Sequence, residues 1–200
     1  FRIDGVRKDL LKTPEMNKLS HIKQLGLAHL VFPGAHHTRF EHSLGVSHVA
    51  GMMADSMSLD DSEKDVVQVA AMLHDVGHGP YSHTLEHILH ERGGMDHMSI
   101  TEGIITGEYD VLREGEVNSI NNRKSIPDIL EGHGIDPTEV AGLIRGPDAR
   151  GSERNLMDWS EGRSNFVEQD NTLAHIVHGP VDCDQIDYLL RASHFTGVNH

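Results

Sequence analysis

The sequence predicts an all-α bundle of irregular topology, and three observations carry that expectation. Capping residues stand directly before apolar-periodic stretches, as at Thr13-Pro14, Thr38 and Asp61-Ser62. Within those stretches apolar residues recur at helical spacing, whereas the alternation of a half-buried strand is scarce. Glycine and proline break the chain where the periodicity ends, at Gly26, Pro33-Gly34 and Gly77-His78-Gly79-Pro80.

Taken in order, Thr13-Pro14-Glu15 supplies a cap, a proline at the first helical position and an acid in the first turn. That helix should run through Met16, Leu19, Ile22 and Lys23 and stop near Gly26. Thr38 should cap a second helix carrying Phe40, Leu44, Val46, Val49 and Met53. Asp61 or Ser62 opens a third, whose buried stripe is Val66, Val67, Val69, Ala70 and Leu73. A fourth is expected over about 81–92 and a fifth over about 96–106. Residues 107–165 are poorer in apolar periodicity, with two short amphipathic stretches at 126–130 and 137–144. They read as a variable, loop-rich insert within one domain over 1–200, with 146–164 a mobile loop. Order should return at about 166–177, and a last helix should span about 181–193.

Charge and composition narrow the function classes. Lysine and arginine total 17 against 31 acids, a formal net charge of −14, which disfavours an undirected grip on a nucleic-acid backbone. No run approaches the roughly 18 apolar residues of a membrane span, and residues 1–20 carry no signal-peptide pattern. The single cysteine, Cys183, excludes an intramolecular disulfide framework and fits a reducing cytoplasm. The unusual number is 17 histidines. Histidine is the commonest metal ligand and the readiest acid or base near neutral pH. Composition alone leaves exposed, unengaged histidines as a competing reading, so position must decide.

Three segments concentrate the chemistry. His74-Asp75 at the end of an apolar helix puts a nitrogen and an oxygen ligand together, and the glycines after it let a substrate approach the backbone. His42 sits on a helix three residues after Arg39. Asp182, Asp184 and Asp187 fall in the first turns of the last helix, where acids also favour the helix dipole without any metal. Together they supply two histidines, a paired aspartate and a distant aspartate.

The order His … His-Asp … Asp resembles the HD-domain phosphohydrolases. The wording Arg39-Phe40-Glu41-His42-Ser43-Leu44-Gly45, then Leu73-His74-Asp75-Val76-Gly77-His78-Gly79-Pro80-Tyr81-Ser82-His83, then Asp182-x-Asp184-x-x-Asp187-Tyr188-Leu189-Leu190-Arg191, is similar to their dNTP triphosphohydrolase branch. The resemblance covers about residues 10–100 and 172–198. It implies a helical HD domain with His42, His74, Asp75 and Asp184 holding one divalent metal ion, with Mn, Fe, Ni, Zn and Mg all open. It makes Asp182 and Asp187 solvated or capping acids. His78 and His83 match histidines that contact phosphates and orient water. His97 matches a catalytic histidine that protonates the leaving oxygen, with Glu86 placed to orient it. Arg39 should reach the α-phosphate; the competing reading is a surface salt bridge to Glu41 or Glu15. Gln24 and Leu25 match contacts to the sugar hydroxyl and base edge, and Tyr188 matches the aromatic on the deoxyribose.

The implied reaction is hydrolysis of a deoxynucleoside triphosphate to deoxynucleoside and tripolyphosphate by a cytoplasmic homo-oligomer with a nucleotide substrate, no membrane and no nucleic-acid partner. Two other readings share the site: a less selective nucleotidase or phosphodiesterase, and a non-catalytic nucleotide-sensing module. Three departures stand out. Lys12, Asn17 and Ser20 replace an activator-binding set, Ala192 replaces an acid, and the chain ends where the branch continues into a C-terminal lobe.

Overall fold

The computed structural model describes residues 2–80, 96–111, 124–146 and 172–198. Among them the chain is all-α: nine α-helices, one short 3-10 turn and no strand beyond an isolated antiparallel bridge between Lys23 and Thr38. The helices are α1 (Gly5–Leu10), α2 (Pro14–Leu19), α3 (Arg39–Ser56), α4 (Asp61–Leu73), α5 (His97–Thr106), α6 (Ile126–Gly132), α7 (Pro137–Arg145), α8 (Thr172–Val177) and α9 (Cys183–Thr196). The helix expected over 81–92, and most of the loop expected over 146–164, lie outside the described residues.

Local chemistry explains most of the boundaries. The Thr13 hydroxyl accepts from Met16 N at 3.3 Å and starts α2. Thr38 and Glu41 form a capping box on α3, with Thr38 N donating to Glu41 Oε2 at 2.7 Å. Asp60 and Glu63 do the same on α4, one residue ahead of the expected start. Asp96 caps α5, accepting from Ser99 N at 2.7 Å, and Gly107 closes it at φ +85°.

Two differences from the expected elements have physical causes. Helix α2 ends at Leu19, short of Gly26. Beyond it residues 22–24 pair with 37–39: Arg39 N donates to the Ile22 carbonyl at 2.9 Å and Gln24 N to the His37 carbonyl at 3.1 Å. Ile22 is buried as its spacing requires, but from this extended pairing instead of a helix. Helix α1 was not expected; its cap residue Asp4 makes no side-chain cap bond, and burial of Val6 and Leu10 holds it.

Helix α4 is the centre of the bundle. Every residue from Val66 to Leu73 is buried, so the expected stripe is a fully enclosed helical segment packed by α1, α3, α7 and α8. Helix α3 lies against it through small residues. Ser47 Oγ donates to the Gln68 carbonyl at 2.8 Å, and Gln68 Nε2 returns a bond to the Ser47 carbonyl at 3.1 Å. The helices of the 107–165 segment belong to the same core. Ile126, Ile129 and Leu130 of α6 and Val140, Ala141 and Ile144 of α7 are buried in one continuous apolar cluster with α4.

Candidate metal centre

Three helices and one loop converge on a single point. Helix α3 brings Arg39 and His42, the end of α4 brings His74 and Asp75, and the loop after it brings His78. The first turn of α9 brings Asp184. One ligand atom each from His42, His74 and Asp75 lies within 4.8 Å of the others. Asp184 Oδ1 is 2.8 Å from His42 Nε2 and 3.8 Å from His74 Nε2. The four residues expected to share an ion are therefore adjacent.

Their protonation states are set by their neighbours. His74 Nδ1–H donates to the Ala71 carbonyl at 2.8 Å, which fixes the ring with Nε2 turned toward the centre. That Nε2 is buried, makes no hydrogen bond, and faces Asp75 Oδ1 at 3.4 Å. An unsatisfied buried nitrogen among carboxylate oxygens fits a divalent cation. Burial alone disfavours a charged His42, yet its bonds to Asp184 and Asp187 outweigh that and hold the ring up to about 9. Burial likewise pushes Asp75 up, but His74, His78 and Arg39 prevail and keep its carboxyl well below the usual range. Asp184 is lowered against its burial by the hydrogen bond from His42 and by His74.

Asp187 departs from the sequence reading. It is a buried carboxylate, neither solvated nor a cap. His42 Nδ1–H donates to its Oδ2 at 2.8 Å, and Arg191 Nε and a terminal nitrogen donate to its two oxygens at 2.8 Å each. It thus fixes the His42 ring and leaves Nε2 directed at the centre. A side chain at Gly45 would collide with Asp187 and Arg191, so glycine there is what lets α9 approach α3. The signal for Asp187 was its i,i+3 spacing from Asp184, which puts both on one face of α9, with Arg191 one turn on. Asp182 does cap α9, accepting from Gln185 N at 2.8 Å, although burial raises its carboxyl. Cys183 between them is buried, its thiol pushed up to about 12 by burial and the flanking acids.

Arg39 makes neither surface pair considered for it. It is buried, and its terminal nitrogen donates to Asp75 Oδ2 at 2.6 Å. His78 Nε2 lies 3.2 Å from Asp75 Oδ1, and burial lowers its tendency to protonate. Its ring stacks on His97, with centroids 4.2 Å apart and planes at 18°. Gly77 makes that stack possible: its N–H donates to Thr101 Oγ1 at 3.0 Å, and a Cβ there would strike the His97 carbonyl. Thr101 was not anticipated.

A cleft of about 630 Å³ opens over this cluster, a volume suited to a small molecule. Gln24, Leu25, Arg39, His42, His74, Asp75, His78, His97, Asp184 and Tyr188 all line it. Tyr188 is 41% exposed, so it is no core tyrosine. Met98, Ile144, Val177 and His178 add walls that the motifs did not indicate. His83 and Glu86 lie outside the described residues.

The model of the HD domain family matches residues 39–154, from the helix of His42 through the His74-Asp75 pair and beyond. The chain belongs to the HD domain family. This HD domain is 34% identical over 197 residues to the uncharacterized protein YwfO of Bacillus subtilis, covering 96% of this chain and 37% of that protein. It is 34% identical over 205 residues to human deoxynucleoside triphosphate triphosphohydrolase SAMHD1, covering 96% of this chain and 31% of the relative. A solved phosphohydrolase from Bacteroides thetaiotaomicron superposes at a TM-score of 0.61 with 29% identity, over 99% of this chain and 40% of that one. A hypothetical protein from Aquifex aeolicus gives 0.63 with 31% identity, over 100% and 44%. The chain therefore spans between 31% and 44% of the length of these relatives. No described helix is long and apolar enough to cross a membrane.

Proposed function

We propose that the chain is the catalytic core of a metal-dependent phosphohydrolase that converts deoxynucleoside triphosphates to deoxynucleoside and tripolyphosphate. The observation that carries the reading is His74 Nε2, buried without a hydrogen bond between Asp75 and Asp184 at the floor of a cleft. His42, His74, Asp75 and Asp184 would hold the ion. Once held, a divalent ion supplies polarisation of a phosphate oxygen and acidification of water.

The protein's own groups account for the rest of the chemistry. Asp187 orients His42, and Arg39 steadies Asp75 while presenting positive charge to the α-phosphate. Water attacks the α-phosphorus and its oxygen stays there; the bond from phosphorus to the sugar 5′ oxygen breaks. His78, with His83, orients the water. His97 gives a proton to the departing oxygen, at a position fixed by its stack on His78. Gln24 and Leu25 contact the nucleoside, and Tyr188 packs on the deoxyribose. Similarity to human SAMHD1 supports the triphosphate substrate. The lone buried cysteine supports a reducing, cytoplasmic setting.

Product analysis tests the reading. The chain is incubated with each dNTP and with Mn²⁺, Mg²⁺, Ni²⁺, Fe²⁺ or Zn²⁺, and the phosphorus products are resolved. Tripolyphosphate with free deoxynucleoside is expected. Orthophosphate without tripolyphosphate would replace attack at the α-phosphorus by a general nucleotidase activity. Nucleotide binding without any product would point to a sensing module.

A further inference from the structure

We propose that Lys23 binds the terminal phosphates of the substrate's polyphosphate tail, which deepens the phosphohydrolase reading and rests on it. A triphosphate brings several negative charges to a chain that itself carries −14. Only two lysine or arginine side chains, Lys23 and Arg39, are among the described residues lining the cleft. Arg39 is buried against Asp75, so much of its charge is already answered. Lys23 is exposed at the cleft and forms no ion pair with a described carboxylate. Its ammonium gives one hydrogen bond, to the His36 carbonyl at 2.8 Å, and two N–H groups remain for a ligand.

Lys23 is also held in register with the metal centre. It stands opposite Thr38 in the antiparallel bridge, flanked by the bonds of Ile22 to Arg39 and Gln24 to His37. Those bonds lock residues 22–24 to the start of α3, whose first turns carry Arg39 and His42. A cation anchored in this way loses less side-chain freedom on binding phosphate than one on a free loop.

The competing role is purely structural, a tie from Lys23 to the His36 carbonyl. The number of phosphates in the ligand separates the two. Binding of inorganic tripolyphosphate and of orthophosphate is measured by calorimetry at one fixed Mg²⁺ concentration, for wild type, Lys23→Ala, Lys23→Gln and Lys23→Arg. Gln removes the charge while keeping a donor for the His36 carbonyl, and thermal melts report the fold of each variant. Ala and Gln should weaken tripolyphosphate binding by roughly 10-fold and leave orthophosphate unchanged. Arg should restore the affinity, and the gap should narrow in 1 M KCl. If the wild type prefers tripolyphosphate and the Gln variant prefers it equally, Lys23 is not the clamp and the phosphohydrolase reading stands. If the wild type shows no preference over orthophosphate, the Lys23 clamp falls, and the triphosphate reading is then decided by the product analysis alone.

Discussion

His42 holds a carboxylate on each ring nitrogen, and the two bonds would have different fates if the proposed ion bound. A metal on Nε2 requires that nitrogen to give up its proton and to share Asp184. The Nδ1–H bond to Asp187 is untouched by that exchange and keeps the lone pair aimed inward. Arg191 in turn fixes Asp187 by two bonds, so the ring angle is set from α9 as well as from α3. Replacing Asp187 with Asn keeps the shape but removes the charge that answers both His42 and Arg191. Asp187→Asn should weaken metal binding by ~10- to 100-fold, read by competition with a chromogenic chelator. Unchanged affinity would mean that backbone packing alone sets the ring. The four proposed ligands were legible because their residue types and chain order carry the chemistry. Asp187 was not, because an acid in the first turn of a helix is explained by the dipole until its partner on another helix is seen.

Among the elements, legibility followed how local the cause was. Helices α3, α4, α5 and α9 announce themselves by a capping side chain within three residues of their start, a contact a sequence shows directly. Helix α1 has no such bond and is six residues long, too short to persist without the burial of Val6 and Leu10. The end of α2 was hidden because Ile22 continues the helical spacing while its backbone pairs with the strand-like residues before α3. The two helices within 107–165 lie in a stretch read as a variable, loop-rich insert because Gly, Asn and charge surround them, and how deeply they are buried depends on what packs across, not on neighbours in sequence. Leu130 of α6 is fully buried in the cluster that contains Leu73. Leu130→Ala should therefore cost ~2–5 kcal/mol, as for a core leucine, measured by urea unfolding of the metal-free chain. A loss within about 0.5 kcal/mol, typical of a surface position, would mean that α6 adds little to the core.

At the scale of the molecule, an ion at the proposed site would tie together segments that hydrophobic packing brings close but charge drives apart. Asp75, Asp182, Asp184 and Asp187 gather in a chain whose acids outnumber its lysines and arginines by 31 to 17. Arg39 and Arg191 answer two of them within the fold, and those buried or half-buried pairs are screened little by salt. Exposed pairs such as Lys12–Asp9 weaken in salt because both partners are solvated. Against that stands the self-repulsion of the whole −14, which acts over longer distances and is screened as the Debye length falls from ~10 Å at 0.1 M to ~3 Å at 1 M. The excess of 31 acids over 17 lysines and arginines leaves net repulsion whatever the pairing, so screening should favour the folded state. The metal-free chain, kept so with a chelator, should melt at a higher temperature in 1 M than in 0.1 M KCl. Chloride is chosen over sulfate so that exclusion of a strongly hydrated anion does not add its own stabilisation. A melting temperature that falls over that range would mean the exposed ion pairs outweigh the net charge.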